Sequence, residues 1–315
     1  MNRSLLRAHG LCVPVTVGFV TFCLVLPTFG QDEVAVADVG VSKIAKPLAL
    51  ASGSVASDSE PSLPADSPAP TVIQTSIDHL SAEPEHPLAS TVRYARRGLA
   101  RVEQDIKDYS CTLVKRERIG GRLHPYDTIA LKVRHEPFSV YMCFLGPKKL
   151  RDRECLYVAG QNDDLLLAHE GQGLMARLPS ISLDPLGSLA MSGQRYPITE
   201  VGLHRLAERL LATATHDSKY DEAEVKLFPK VKVKGRAALC IQITHPIQRS
   251  HFRYHIGRVF VDNELQVPIR YAGYLWPKKP GGKPVLDEEY TYLDLKVNNG
   301  FTDLDFDRQN PEYNF

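Results

Sequence analysis

Residues 258–271 read Arg-Val-Phe-Val-Asp-Asn-Glu-Leu-Gln-Val-Pro-Ile-Arg-Tyr, two runs of β-forming side chains around a short polar turn. A connection this short joins antiparallel neighbours. Pro268 has no N–H to give to a ladder, so it belongs on an edge strand or at a bulge. Gly257, just ahead, predicts a bulge that moves the apolar set from Phe252, Tyr254 and Ile256 to Val259 and Val261. Bulges let sheets coil. The pattern therefore calls for a bent antiparallel sheet, with this hairpin at its C-terminal edge.

The same period of two recurs upstream. Residues 110–119 alternate and end in Gly120-Gly121, a two-residue hairpin signal because both positions tolerate positive φ. Residues 128–134 set Ile129, Leu131 and Val133 on one face and Thr128, Lys132 and Arg134 on the other. Residues 138–145 are apolar on both faces, so this strand is covered on both sides or faces a cavity. Shorter strands follow over 155–159 and 165–168, and five more over 225–227, 237–245, 252–260, 267–275 and 289–297.

Two stretches have helical spacing instead. Leu88, Val92, Ala95, Leu99, Val102 and Ile106 form one stripe, with Pro87 in the first turn and Arg93, Arg96, Arg97, Glu103 and Lys107 on the wet side. Leu203, Leu206, Ala207, Leu210, Leu211 and Ala214 form the second, with Pro197 and Thr199 at its start. The order is helix, strands, inserted helix, strands. It predicts a single α+β domain over residues 87–315, a strongly curved antiparallel sheet with the two helices across its concave face.

The first 86 residues read differently. Arg3 and Arg7 precede an apolar run over 11–29 that ends Thr28-Phe29-Gly30, which predicts a secretory signal over 1–30 cleaved after Gly30. The run is also long enough for an uncleaved membrane anchor. Phe22 ahead of Cys23 does not suit lipoprotein cleavage. Residues 31–86 are rich in Ala, Ser, Pro and Val, too poor in apolar surface to offset the entropy of ordering, and read as a disordered linker. The expected location is the periplasm or cell envelope. There Cys111, Cys143, Cys155 and Cys240 either pair, in one of three connectivities, or serve as small buried apolar side chains. A net charge of +1 offers no basic excess for a phosphate backbone, so no nucleic acid partner is expected. Contact with a membrane is expected only transiently or through an uncleaved signal.

Three segments, Asp108-Tyr-Ser-Cys-Thr-Leu-Val-Lys-Arg-Glu-Arg118, Lys132-Val-Arg-His-Glu-Pro-Phe-Ser-Val-Tyr141 and Gln194-Arg-Tyr-Pro-Ile-Thr-Glu-Val-Gly202, resemble a bacterial secreted domain family of unknown function. The likeness covers nearly everything from residue 88 onward and implies no activity. A second likeness rests on Val259-Phe-Val-Asp-Asn-Glu-Leu-Gln-Val-Pro-Ile-Arg270, Tyr290-Thr-Tyr-Leu-Asp-Leu-Lys-Val-Asn298 and Asp303-Leu-Asp-Phe306. Together these are similar to the C-terminal half of the lipoprotein-localisation carriers, the LolA/LolB-like superfamily. That resemblance implies an unclosed half-barrel with helices across its mouth and a hollow for acyl chains. No contact residue of that family matches a motif here.

Catalytic signals are sparse. The chain lacks G-x-S-x-G and S-x-x-K, and Ser188 and Ser192 in the 179–196 loop are the nearest nucleophile candidates. His245, His251 and His255 come close in sequence, but Arg253 between the last two would repel a cation, so a solvated or hydrogen-bonded face is expected and no metal. Asp163-Asp164, Asp287-Glu288-Glu289 and Asp303/Asp305 are candidate carboxylate pairs that charged turns and edge strands explain more simply. No cofactor motif is present. What remains is an apolar lining of Leu131, Val133, Val140, Met142, Phe144, Leu156, Val158, Ile241 and Ile243. It fits a non-enzymatic carrier for a lipid, a lipoprotein acyl chain or another apolar ligand. The alternatives are a tethered module with a filled core that meets an envelope protein, and a hydrolase using the 179–196 loop.

Overall fold

The structure is a computed structural model and describes residues 86–315. The expected signal, and the expected linker apart from His86, lie outside the described residues.

In chain order the elements are α1 (Ala89–Asp105), β1 (Asp108–Ile119), β2 (Arg122–Leu123), β3 (Asp127–Arg134), β4 (Ser139–Gly146) and β5 (Glu154–Val158). Next come β6 (Leu166–His169), β7 (Ile181–Leu183) and α2 (Leu203–Asp217). Then follow β8 (Glu224–Val233), β9 (Arg236–Thr244), β10 (Ile256–Asp262), β11 (Pro268–Leu275) and β12 (Val285–Val297). All pairings are antiparallel. The strand order is β7-β6-β5-β4-β3-β1-β12-β11-β10-β9-β8, with β2 paired to β1. The sheet does not close, and β7 and β8 are its edges.

Local chemistry accounts for most of this. Gly120 and Gly121, at φ 57° and 80°, turn β1 into β2 as their sequence requires. Pro268 opens β11 opposite Val261, where the β10–β11 register shifts. The bulge therefore falls at Phe260/Val261 and not at Gly257, which pairs regularly with Ile243 and Gly273. Nor is the β10–β11 hairpin an edge. The 13 residues of β12 pair with β11 on one side and β1 on the other, which puts the hairpin inside the sheet.

Both helices lie on one face. In β1, residues 109, 111, 113, 115 and 117 are buried toward it while the residues between them are partly open. α2 starts after Gly202, later than Pro197 and Thr199 suggest, because residues 198–200 form a separate 3-10 turn. The Tyr109 hydroxyl accepts the backbone N–H of Leu203 at 2.9 Å, which satisfies one of the open donors of the helix start. Gly202 has φ 117°, and a Cβ there would lie 2.7 Å from that hydroxyl. Gly202→Ala should therefore lower the unfolding free energy by about 1–3 kcal/mol, read as the shift in urea midpoint. An unchanged midpoint would mean that Gly202 is not what seats α2.

The opposite face carries the C-terminal strap. Phe306 is buried among Tyr141, Leu156, Val158 and Leu167, with Phe301, Tyr313 and Phe315 packed against them. The Tyr313 and Tyr141 rings stack at 3.8 Å. Asp303 and Asp305, one of the candidate carboxylate pairs, lie in ion pairs with Arg134 at 2.8 Å and Lys132 at 3.2 Å. The strap explains why β4 is apolar on both sides: one side meets the helix face, the other meets the strap. The four cysteines are free. Cys155 opposes Met142 and Cys143 opposes Glu154, so the two thiols of this strand pair point to opposite faces. Burial pushes them up to about 12 and about 11.

Candidate functional site

The helix face is not packed throughout. Between β1, β3, β4, β6, the start of α2 and the 175–202 segment lies a cavity of about 360 Å³. Its walls are mainly apolar and include Leu113, Ile129, Met142, Phe144, Leu166 and Leu206. Two ion pairs stand at its margin, Arg153 with Glu170 at 2.7 Å and Arg209 with Glu200 at 3.1 Å. The Arg209 guanidinium also covers the Tyr196 ring at 4.1 Å. A second, smaller hollow of about 90 Å³ lies between α1, α2 and the β9–β11 strands. Leu206 and Arg209 of α2 face the first hollow while Ala207, Leu210 and Ala214 face the second, so α2 stands between them.

The nine residues of the expected lining are distributed over four places. Met142 and Phe144 line the large cavity. Leu131, Val133 and Val140 are close-packed core on the same face, each nearly inaccessible. Ile241 and Ile243 line the small hollow. Leu156 and Val158 lie on the other face under the strap, a departure from the expected lining. The reason is register: Met142 opposes Cys155 and Val140 opposes Tyr157, which sends the alternate residues of β5 outward.

One wall of the large cavity is polar, and the sequence pattern misplaced it. Asp287, Glu288 and Glu289 are not a charged edge; all three are buried on a central strand. Glu288 is 2 % exposed. It accepts hydrogen bonds from the hydroxyls of Tyr196 at 3.0 Å and Tyr254, and lies 3.4 Å from the Tyr290 hydroxyl, 3.3 Å from Arg195 Nε and 3.5 Å from Arg253 Nη2. Tyr290 donates to Glu117 at 2.6 Å, and Glu117 accepts Lys115 Nζ at 3.1 Å. Lys115 reaches on to Gln194 at 2.6 Å and Asp127 at 3.6 Å. Burial holds the Tyr254 and Tyr290 phenols far above their ordinary range, so both stay protonated donors. Burial raises the Asp127 carboxyl despite the pull of Lys115.

This network explains the segment that begins Gln194-Arg-Tyr. Arg195 grips Asp287 with both Nη atoms, at 2.8 and 3.0 Å, and its backbone N–H donates to Glu117 at 3.1 Å. A bidentate guanidinium–carboxylate pair fixes geometry as well as energy. The loop that forms one cavity wall is thus stapled to the sheet. Of the residues that meet the acidic triplet only Tyr290 is its neighbour in sequence; Arg195 and Tyr196 lie some 90 positions away and Arg253 and Tyr254 more than 30, so spacing does not reveal that they converge.

Among the described residues no group of three or more His, Cys, Asp or Glu is placed to hold a metal ion. His245 is buried and sits 3.3 Å from Asp217, whose other oxygen meets His216 at 3.0 Å. Burial pushes the His245 imidazole down. His251 stacks on Tyr220 at 3.8 Å. Among the described residues no histidine hydrogen-bonds Ser188 or Ser192, so the 179–196 loop has no assembled nucleophile–base pair. No helix among the described residues is long and apolar enough to cross a membrane.

The profile of the family described as "Protein of unknown function (DUF1571)" matches residues 106–315. No curated protein matches the sequence. Among solved structures, the chain is similar to the Mycobacterium tuberculosis lipoprotein LppX, at 10% identity and TM-score 0.38 over 66% of this chain and 97% of that one. It is also similar to a putative outer membrane lipoprotein-sorting protein domain from Vibrio parahaemolyticus, at 12% identity and TM-score 0.32 over 68% and 97%. A LolA superfamily protein from Nitrosomonas europaea gives 12% identity and TM-score 0.27 over 68% and 97%. At scores this low, none of the three assigns a ligand or an activity.

Proposed function

We propose a carrier-like function for this chain, which belongs to the DUF1571 family of proteins of unknown function. It is an exported envelope protein that holds an acyl chain or another apolar ligand between its sheet and α2, with no covalent step. One observation supports the reading above the others: a face that is otherwise close-packed, save for the small hollow by α1, leaves about 360 Å³ open behind mainly apolar walls. Small-molecule sites run from about 300 to 1,000 Å³ and combine apolar walls with a few fixed polar groups. Interiors normally fill such space, because each lost contact costs dispersion energy. Lys115, Glu117, Tyr196 and Tyr290 are the fixed polar groups here, the first, second and last held by one another and Tyr196 by Glu288 and Arg253. Such a wall orients a ligand's polar end without paying again to order side chains.

Purified protein extracted with organic solvent should release acyl lipid in near-equimolar amount, measured by mass spectrometry. An extract without lipid, from protein that also fails to bind a fluorescent fatty acid, would remove the carrier reading. The tethered-module alternative would then stand.

A further inference from the structure

Nine large apolar side chains are exposed on the described surface, and six of them fall between residues 174 and 189: Leu174, Met175, Leu178, Ile181, Leu186 and Leu189. Leu174 is 79% and Leu186 72% exposed. Soluble surfaces rarely gather apolar groups this way unless something covers them. Met175, Leu178, Ile181 and Leu189 also line the large cavity, so the patch runs unbroken from the outer surface into the hollow. Over 171–193 the only charged residues are Arg177 and Asp184. Beside this segment stands a basic turn. Gly171 packs so closely on Asp152 that a Cβ there would meet its backbone at 2.1 Å, which brings the turn at 148–153 against the root of the patch. Lys148, Lys149 and Arg151 of that turn are exposed and form no ion pair among the described residues.

From these observations we infer that the 174–189 segment is a docking surface for an anionic lipid bilayer, with the cavity mouth facing the membrane. Leucines that enter the headgroup and acyl boundary, flanked by cations that meet anionic headgroups, are the two components of interfacial binding. A protein partner would account for the apolar patch but not for the unpaired cations at its border together with a path into the cavity. The inference goes beyond the carrier reading and is measured without any cavity ligand.

The test uses the full chain with a tryptophan reporter, Leu186→Trp, repeated as Leu174→Trp. Neither residue lines the cavity, and Lys232→Trp on the exposed edge strand β8 serves as the reference. Vesicles of phosphatidylcholine, with and without phosphatidylglycerol, carry brominated acyl chains that quench a tryptophan only at bilayer depth. Reporters at 186 and 174 should be quenched on vesicles containing phosphatidylglycerol, and the one at 232 should not. Reporter depth distinguishes this contact from any anchoring through the N-terminal residues. Lys148→Gln, Lys149→Gln and Arg151→Gln should each raise the vesicle concentration for half-maximal quenching about fivefold. Unquenched reporters at both rim positions would overturn the inference, as would equal quenching without phosphatidylglycerol. If lipid is co-extracted but the rim stays dry, the carrier reading survives and the docking surface does not.

Discussion

Glu288→Ala should be among the most damaging single substitutions in the sheet, lowering the unfolding free energy by about 3–5 kcal/mol. The carboxylate is 2 % exposed, accepts from the hydroxyls of Tyr196 and Tyr254, and faces two guanidiniums. Removing it leaves Arg195 with one carboxylate partner in place of two, and leaves Tyr254 without its acceptor in a buried site. An unmade hydrogen bond in such a place costs the desolvation of the group. Arg253 is nearly half exposed and can turn to water, which argues for the lower part of that range. Glu288→Gln keeps an acceptor and most of the volume, and should cost clearly less. Asp303→Ala is a fair control: Asp303 is 87% exposed in its pair with Arg134 and should change little. Urea unfolding of the three variants decides the matter. A Glu288→Ala protein within about 0.5 kcal/mol of wild type would show that the network is not structural.

The same residue shows where the sequence stops being informative. Asp287-Glu288-Glu289 looks like a charged edge because local sequence does not encode strand order. What buries it is the pairing of β12 with β1, some 170 positions away in the chain, with Glu117 directly opposite Glu288. By contrast, the alternation of β1, the Gly120-Gly121 turn and the two helical stripes are local, and each becomes the element its period requires. The double-sided apolar character of residues 138–145 was also a sound guide, since one side of β4 meets the cavity and the other meets the strap. The lining failed at Leu156 and Val158 for want of a single residue of register. The turn at 147–153 sets Cys155 opposite Met142, and a period of two inverts every assignment beyond such a step. The rim leucines went unread because exposure is not a property of composition: leucines at 174, 178, 186 and 189 read equally well as core.

Filling the large cavity should weaken ligand binding at least roughly tenfold while leaving the fold intact, and Ala168→Trp is the substitution to do it. Ala168 opposes Cys155 on β6 and lines the cavity near Met142. An indole entering open apolar space gains buried area at about 25 cal/mol per Å², so the thermal midpoint should hold or rise. A fluorescent fatty acid should bind at least roughly tenfold more weakly, a change of about 1.4 kcal/mol. Ile243→Trp supplies the contrast, because its hollow of about 90 Å³ is too small for the added ring. That change should overpack the α1–α2 contact and cost about 1–3 kcal/mol of stability, with the probe still bound at wild-type affinity by the molecules that remain folded. The opposite pattern, a folded Ala168→Trp protein that binds the probe as wild type does, would place the ligand somewhere other than behind α2. Loss of binding in Ile243→Trp alone would point to the small hollow. Because one substitution adds volume where there is room and the other where there is not, stability and binding must move in opposite directions in the pair if the large cavity is the site.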